Sequence, residues 1–327
     1  MGVERGRGRL SHRRSHHVTV CQTARVADDP LQEVQPRAVP ERAVPARCVM
    51  SLAVLLAAGC ATVGVDDAVW IVTDDGQLRT EPRGCPPRDP PSTTVAPLPS
   101  DRPLTLVSWN IHKAADEGWD RDLARFAAGA DIVLLQEAVL SVALRDTLLR
   151  ERLIWMQADA WRGRTEVTGV LTAARAPSTA ACVSRALEPL LGVPKSALVT
   201  YYRLAGRRHT LAVANVHSVN FSLALGGYRD QLEAVAAVLA SHQGPIVLAG
   251  DFNTWSPARV DVLDGVAAKL GLARADPRDD VRTRFVGMPF DYVYARGFEP
   301  VAVRVEPVTS SDHAPLIVTL ALSPEPR

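Results

Sequence analysis

Apolar residues in the middle of this chain come in short unbroken runs, and each run stops at a polar residue. Leu104-Thr105-Leu106-Val107 leads into Asn110, Ile132-Val133-Leu134-Leu135 into Gln136-Glu137, Leu211-Ala212-Val213-Ala214-Asn215-Val216 into His217, and Ile246-Val247-Leu248-Ala249 into Asp251 and Asn253. Runs of this length and composition read as buried strands. Each acid, amide or imidazole is therefore predicted at a strand's C-terminal edge. Two later segments reverse the order: Asp291 precedes Tyr292-Val293-Tyr294, and Asp312-His313 precede Leu316-Ile317-Val318. If those strands run antiparallel to the others, their beginnings share the edge where the others end, and the polar groups meet in one cleft.

Helices are predicted between the strands, at Leu123 to Ala128, Leu140 to Leu149 and Leu225 to Leu239. In the last, Leu225, Tyr228, Leu232, Val235 and Leu239 recur at intervals of three and four, which puts them on one face for ordinary core packing. No internal repeat is visible. Strands alternating with helices place the chain in the α/β class.

The amino-terminal third has a different character. Residues 1–48 are rich in Arg, Pro, Gly and His and show no apolar periodicity, so they read as a disordered basic tail or as an upstream region that is not translated. Residues 49–60, Val49-Met50-Ser51-Leu52-Ala53-Val54-Leu55-Leu56-Ala57-Ala58-Gly59-Cys60, follow Arg47 and form an apolar stretch too short to span a bilayer. A basic start, a short apolar core and a small-residue exit match a secretory signal. Its end resembles a bacterial lipoprotein signal, with Cys60 as the lipidated first residue, although Ala57 stands where a larger aliphatic is usual. That predicts an exported lipoprotein of the cell envelope; without the signal the chain would stay cytoplasmic.

Residues 61–101 form a leader and linker. Val69-Trp70-Ile71-Val72-Thr73, the turn Asp74-Asp75-Gly76 and then Gln77-Leu78-Arg79 predict a hairpin, and Pro86 through Pro99 an extended link to a domain at 102–327. Processing at Cys60 leaves Cys85 and Cys182, either bonded to each other, as exported proteins favour, or left as an exposed and a buried thiol.

Charge narrows the partners. The net charge is +1, yet residues 1–49 hold nine arginines against five acids, so the remainder has a slight acidic excess. Bulk binding of duplex DNA needs a broad basic field, which is missing here. A small phosphoester, a nucleotide, a lipid head group or locally gripped nucleic acid suits this balance better, with the protein a monomer. Lysine occurs only at Lys113, Lys195 and Lys269.

Asn110, Glu137, Asp251, Asn253 and Asp312 are oxygen donors of the kind that Mg²⁺ or Mn²⁺ prefers. A hard cation flanked by two histidines suits attack of water on phosphorus. His313 is the candidate general base, with Asp291 holding its ring, and His217 the donor to phosphate or leaving oxygen; these two roles are interchangeable at this point. Each piece has an ordinary reading too. Gly250-Asp251-Phe252-Asn253 also reads as a turn capping a helix near Ser256-Pro257, Glu137 as a first-turn helix acid, and Ser311-Asp312-His313 as a surface turn. His112 reads as pointing away from Asn110. Lys113 and Lys195 are phosphate contacts or solvated charges.

The ordered set Ser108-Trp109-Asn110-Ile111, Leu135-Gln136-Glu137, Asn215-Val216-His217, Gly250-Asp251-Phe252-Asn253, Asp291-Tyr292 and Ser311-Asp312-His313 resembles the endonuclease/exonuclease/phosphatase superfamily. Lys195-Ser196-Ala197-Leu198-Val199-Thr200 and Asn215 through Ser222 look like its bacterial YafD-like branch. The resemblance implies a four-layer α/β/β/α sandwich of two packed mixed sheets flanked by helices, with a Mg²⁺-dependent cleft. It places Asn110 and Glu137 near the metal, His217 at the phosphate, and Asp251 with Asn253 orienting water and phosphate. Asp312 falls at the metal or at His313, and Asp291 behind His313. The abasic-site nucleases have a tyrosine where this chain has His217 and then Asn220-Phe221, so that activity is not carried over.

The resulting expectation is a metal-dependent phosphoester hydrolase of phosphodiesterase or nuclease type. Its catalytic residues are His313, Asp291, His217 and Asp251, its substrate contacts Asn253, His217 and Lys113, and its metal donors Asn110, Glu137, Asp251, Asn253 and Asp312. The alternatives are a head-group hydrolase or phosphatase at the envelope, and a non-catalytic envelope binding protein with the same fold.

Overall fold

The computed structural model describes residues 68–72, 78–82, 96–162, 166–188, 192–221 and 224–324. The upstream region 1–48, the signal at 49–60, Cys85 and most of the Pro-rich link lie outside the described residues.

Every predicted run is a strand. In chain order the first half comprises β1 (Ala68–Val72), β2 (Leu78–Pro82), β3 (Leu104–Asn110), α1 (Trp119–Ala127), β4 (Ile132–Val139), α2 (Val142–Arg150), β5 (Ile154–Arg162) and β6 (Val167–Ala174). The second half begins with β7 (Ala180–Leu187), β8 (Pro194–Tyr202), β9 (Leu211–His217), α3 (Gly226–Leu239), β10 (Ile246–Asp251) and α4 (Pro257–Lys269). It ends with β11 (Ala273–Arg274), β12 (Arg284–Phe285), β13 (Met288–Pro289), β14 (Asp291–Arg296), β15 (Phe298–Val305) and β16 (Leu316–Leu322).

The strands form two large mixed sheets. One has the order β15-β16-β3-β4-β6-β5-β1-β2, the other β11-β14-β10-β9-β8-β7. β3 and β4 pair in parallel, as do β9 and β10, whereas β16 and β14 run antiparallel to β3 and β10. The reversed order of Asp291 and Asp312-His313 in the sequence is thereby accounted for.

Alternation along each strand explains the layers. Leu104 and Leu106 of β3, Val213 of β9 and Val247 and Ala249 of β10 face one core between the sheets. Val107 and Trp109 turn the other way, onto Leu123 and Phe126 of α1 and Leu144 and Leu148 of α2. Ala212, Ala214 and Leu248 do likewise on their sheet, against Leu232 and Val235 of α3 and Leu263 and Val266 of α4. The result is the four-layer α/β/β/α sandwich.

Helix starts follow local chemistry. The predicted segment from Leu140 becomes helical only at Val142, because the Ser141 hydroxyl accepts the Leu144 N–H at 3.1 Å and caps it. α4 opens with Pro257 in its first turn, where a missing N–H costs nothing.

The predicted leader hairpin is β1–β2, and β1 pairs with β5, so the leader supplies two strands of the larger sheet. Leu98 is buried and bridges to Leu204, with Leu98 N–H donating to Arg203 O at 2.8 Å. Cys182 on β7 is disulfide-bonded, a state that persists in oxidising compartments.

Candidate active site

The strand ends deliver side chains from both sheets to one edge. In the first sheet, Asn110 lies opposite Gln136. A bulge in the β4–β6 pairing between Leu135 and Ala138, with Glu137 at φ 51°, turns the Glu137 carboxylate out of the ladder. In the second sheet, Asp251 lies opposite His217 on one side and Asp291 on the other. His313 joins them through the loop before β16. Its carbonyl accepts from Trp109 Nε1 at 2.9 Å and its N–H donates to Ser311 Oγ at 3.1 Å, while Ser311 Oγ donates to Asn110 O at 2.6 Å.

Asp251 is the centre of the cluster. Its Oδ2 accepts from Asn110 Nδ2 at 3.0 Å and lies 3.5 Å from His217 Nε2 and 3.8 Å from His313 Nε2; its Oδ1 accepts the Asn253 N–H at 2.9 Å. His313 Nδ1 is 2.7 Å from Asp291 Oδ2. Across the cleft, Glu137 Oε1 is 3.9 Å from both His217 Nε2 and Lys195 Nζ, and its Oε2 is 3.8 Å from Lys113 Nζ. Lys195 Nζ donates to His217 Nε2 at 2.9 Å, which leaves the neutral ring's proton on Nδ1. Beneath the cluster, Gln136 Nε2 donates to Asn215 Oδ1 at 2.7 Å, and Asn215 Nδ2 to Leu171 O at 2.9 Å, joining the two sheets by buried amides.

Burial and charge push the two histidines apart. Burial works against the imidazolium of His313, yet the Asp291 and Asp251 carboxylates outweigh it and raise its pKa to about 10. His217 goes the other way, held well below its ordinary value by burial first and then by Lys195, His313 and Lys113. Burial raises the Asp251 pKa, against the opposing pull of His313. The sign for stability follows. A raised pKa means the charged His313 pair contributes fully below pH 6.5 and is lost as pH rises through about 10. The melting temperature of His313→Gln should therefore lie furthest below the unsubstituted protein at pH 6.5 and converge on it towards pH 10. An equal gap at both ends would show that the ring is not held charged.

The predicted residues divide as follows. Asn110, Glu137, His217, Asp251, Asn253, Asp291 and His313 come together. Asp312 is exposed on the rim, close enough to His313 and His112 to raise both pKa values. Lys113 reaches the same rim, with a side chain 61% exposed.

Three contributors were weakly signalled by sequence. Lys195, at 18% exposure, sits deeper than Lys113 because β8 is antiparallel to β9 and so begins where β9 ends. His112 bonds Asp116 at 2.7 Å and also feels Glu137 and Asp312, so it faces this edge. Arg259 of α4 is fully buried. Its Nη1 donates to Val219 O at 2.7 Å and to Asn253 O at 3.0 Å, and its Nη2 to Asn220 O at 2.8 Å, between the rings of Tyr228 and Trp255. It fixes the loops that follow His217 and Asp251.

No three His, Cys, Asp or Glu side chains among the described residues gather closely enough to cage a metal. The donor chemistry nevertheless suits Mg²⁺, which is commonly held by one or two protein oxygens while waters and a substrate phosphate complete its shell. Glu137 and Asn110, on adjacent strand ends, would offer such a pair, with Asn110 Oδ1 also accepting the His112 N–H at 3.1 Å.

The chain matches the Endonuclease/Exonuclease/phosphatase family over residues 107–313. It is 33% identical to the UPF0294 protein of Vibrio campbellii over 260 residues, 79% of this chain and 90% of that one. Its fold is similar to that of an endonuclease/exonuclease/phosphatase from Beutenbergia cavernae, at TM-score 0.53 and 20% identity over 68% of this chain and 72% of the other. It is also similar to the catalytic domain of human Nocturnin, at TM-score 0.52 and 16% identity over 70% and 97%.

Proposed function

The chain belongs to the endonuclease/exonuclease/phosphatase family, in its UPF0294 (YafD-like) branch, and from that premise we propose that it hydrolyses a phosphodiester with the help of Mg²⁺ or Mn²⁺. Phosphoester hydrolysis is the family's chemistry. The observation that carries the finer reading is the pair of histidines whose Nε2 atoms lie 3.5 and 3.8 Å from Asp251 Oδ2, the surroundings pushing the pKa of His217 down and that of His313 up.

A divalent ion held by Glu137 and Asn110, with Asp312 at the rim, would neutralise charge on the phosphoryl oxygens. Lys195, Lys113 and Asn253 hold the phosphate beside it. The protonation states favour neutral His217 as acceptor of the attacking water's proton, once a phosphoryl oxygen draws the Lys195 ammonium from Nε2. His313, charged and oriented by Asp291, then supplies the proton to the leaving oxygen. This is the second of the two assignments that the sequence leaves interchangeable. Asp251 faces the charged His313 Nε2–H across 3.8 Å and keeps it turned into the cleft.

The test is a panel of phosphomonoesters and phosphodiesters with EDTA, Mg²⁺ or Mn²⁺. Diester cleavage that needs the ion is the expected result. Equal rates in EDTA would remove the metal from the mechanism, and no cleavage at all would remove the hydrolase.

A further inference from the structure

Nine large apolar side chains are exposed among the described residues, and six of them belong to the connections at the cleft end of the second sheet. Leu187 and Val193 flank the turn between β7 and β8, which Glu188 closes by donating its N–H to Val193 O at 2.9 Å. The buried Glu188 carboxylate accepts the Asn220 and Phe221 N–H groups at 2.7 and 2.5 Å, and so brings Phe221, 51% exposed, to the same rim. On the His313 side, Val281 leads into the β12–β13 hairpin, whose tip carries Phe285 and Val286. The legs of that hairpin are fixed to the catalytic loops: Thr283 Oγ1 donates to Asp312 O at 2.9 Å and Thr254 Oγ1 to Pro289 O at 2.5 Å, while the rings of Phe290 and His313 lie 5.6 Å apart.

The tip departs from ordinary turn chemistry. A two-residue loop with Val286 at φ 48° and Gly287 at φ 80° is a type I′ turn, whose first position favours Asn, Asp or Gly. Valine is a backbone outlier there, and it is 76% exposed. Strain kept for an apolar side chain in water points to contact with something outside the chain.

Scattered exposed apolar residues are ordinary, but two groups of them on loops that flank one cleft are not. Whatever covers this rim also faces the phosphoester site. Four of the six side chains are aliphatic and offer no face on which a nucleobase stacks, and no basic field accompanies them. Acyl chains suit them better. We propose that the rim seats the cleft on a lipid bilayer and that the substrate is a phospholipid, with Lys113 reaching the head-group phosphate. The proposal rests on the phosphodiesterase reading of the same cleft. Water adds its hydroxyl to phosphorus and a proton goes to the leaving oxygen, so one P–O ester bond breaks to give an alcohol and a phosphomonoester.

The experiment compares the unsubstituted chain with Val286→Asn, Phe221→Asp and, away from the rim in the middle of edge strand β15, Val301→Asp. Each is assayed with Mg²⁺ on vesicles of phosphatidylethanolamine and phosphatidylglycerol and on bis(p-nitrophenyl) phosphate. Asparagine is favoured at the turn position, so Val286→Asn should fold at least as well as the original. Each rim substitution is expected to lower the vesicle rate, relative to the soluble ester, about tenfold, as befits the loss of one buried apolar side chain; Val301→Asp should leave that ratio alone. Unchanged ratios in the rim variants would overturn the proposal. So would cleavage of the soluble ester but not of vesicle lipid by the unsubstituted chain. Cleavage of neither substrate would overturn the phosphodiesterase reading and this inference with it.

Discussion

Replacing Asp251 with asparagine is expected to lower Mg²⁺-dependent hydrolysis by about a thousandfold while the protein stays folded. The amide is isosteric, and one of its ends can still accept the Asn253 N–H. Its NH₂ group, however, would face the Asn110 Nδ2 donor that now bonds Oδ2. The negative charge between the two imidazoles would vanish, and with it the attraction that keeps the His313 Nε2–H turned inward and part of what keeps that ring charged. Initial rates on a diester, read beside a thermal melt, decide the matter. A folded Asp251→Asn enzyme with a tenth or more of the original rate would show that this carboxylate is not central.

Gly250→Ala is expected to be the most destabilising single methyl group in the site, costing at least about 3 kcal/mol from the unfavourable backbone and the overpacking together. Gly250 has φ 142°, a region that side chains avoid, and an added Cβ would lie 2.0 Å from Val216 O on the neighbouring strand. That oxygen belongs to the β9 ladder and cannot move without carrying His217 with it. Chemical denaturation checks the value. A loss under about 1 kcal/mol, the ordinary size of a point substitution, would mean that the strand pair yields easily.

The glycine shows what kind of information the sequence held. Apolar runs that stop at polar residues were enough to place Asn110, His217 and Asp251 on one edge, because strand burial and strand ending are local properties. The same logic recovered Asp291 and His313 once antiparallel order was assumed. What was hidden depends on distant partners. Nothing near Glu137 announces the bulge that turns its carboxylate outward, since the bulge exists only against β6. α4 was legible at its start, from Ser256-Pro257, but its buried Val262, Leu263, Val266 and Ala267 are interspersed with small and charged residues. Arg259 looks like a surface arginine until carbonyls from two other loops are brought to it. Lys195 looks solvated until β8 is paired with β9. The leader hairpin was predicted as a hairpin, yet its place beside β5 is a pairing across more than eighty residues, which composition does not encode.

The amide pair Gln136–Asn215 ties together two sheets that each carry part of the site: Asn110 and Glu137 hang from one, His217, Asp251 and Asp291 from the other. The inter-sheet core therefore works as a spacer gauge. Its thickness, set by side chains such as Leu106, Leu134, Val213 and Val247, fixes how far the Glu137 carboxylate stands from the imidazoles. Changes that conserve total volume leave this gap alone, whereas a single enlarged or shortened side chain there would detune the chemistry from a position that never touches substrate.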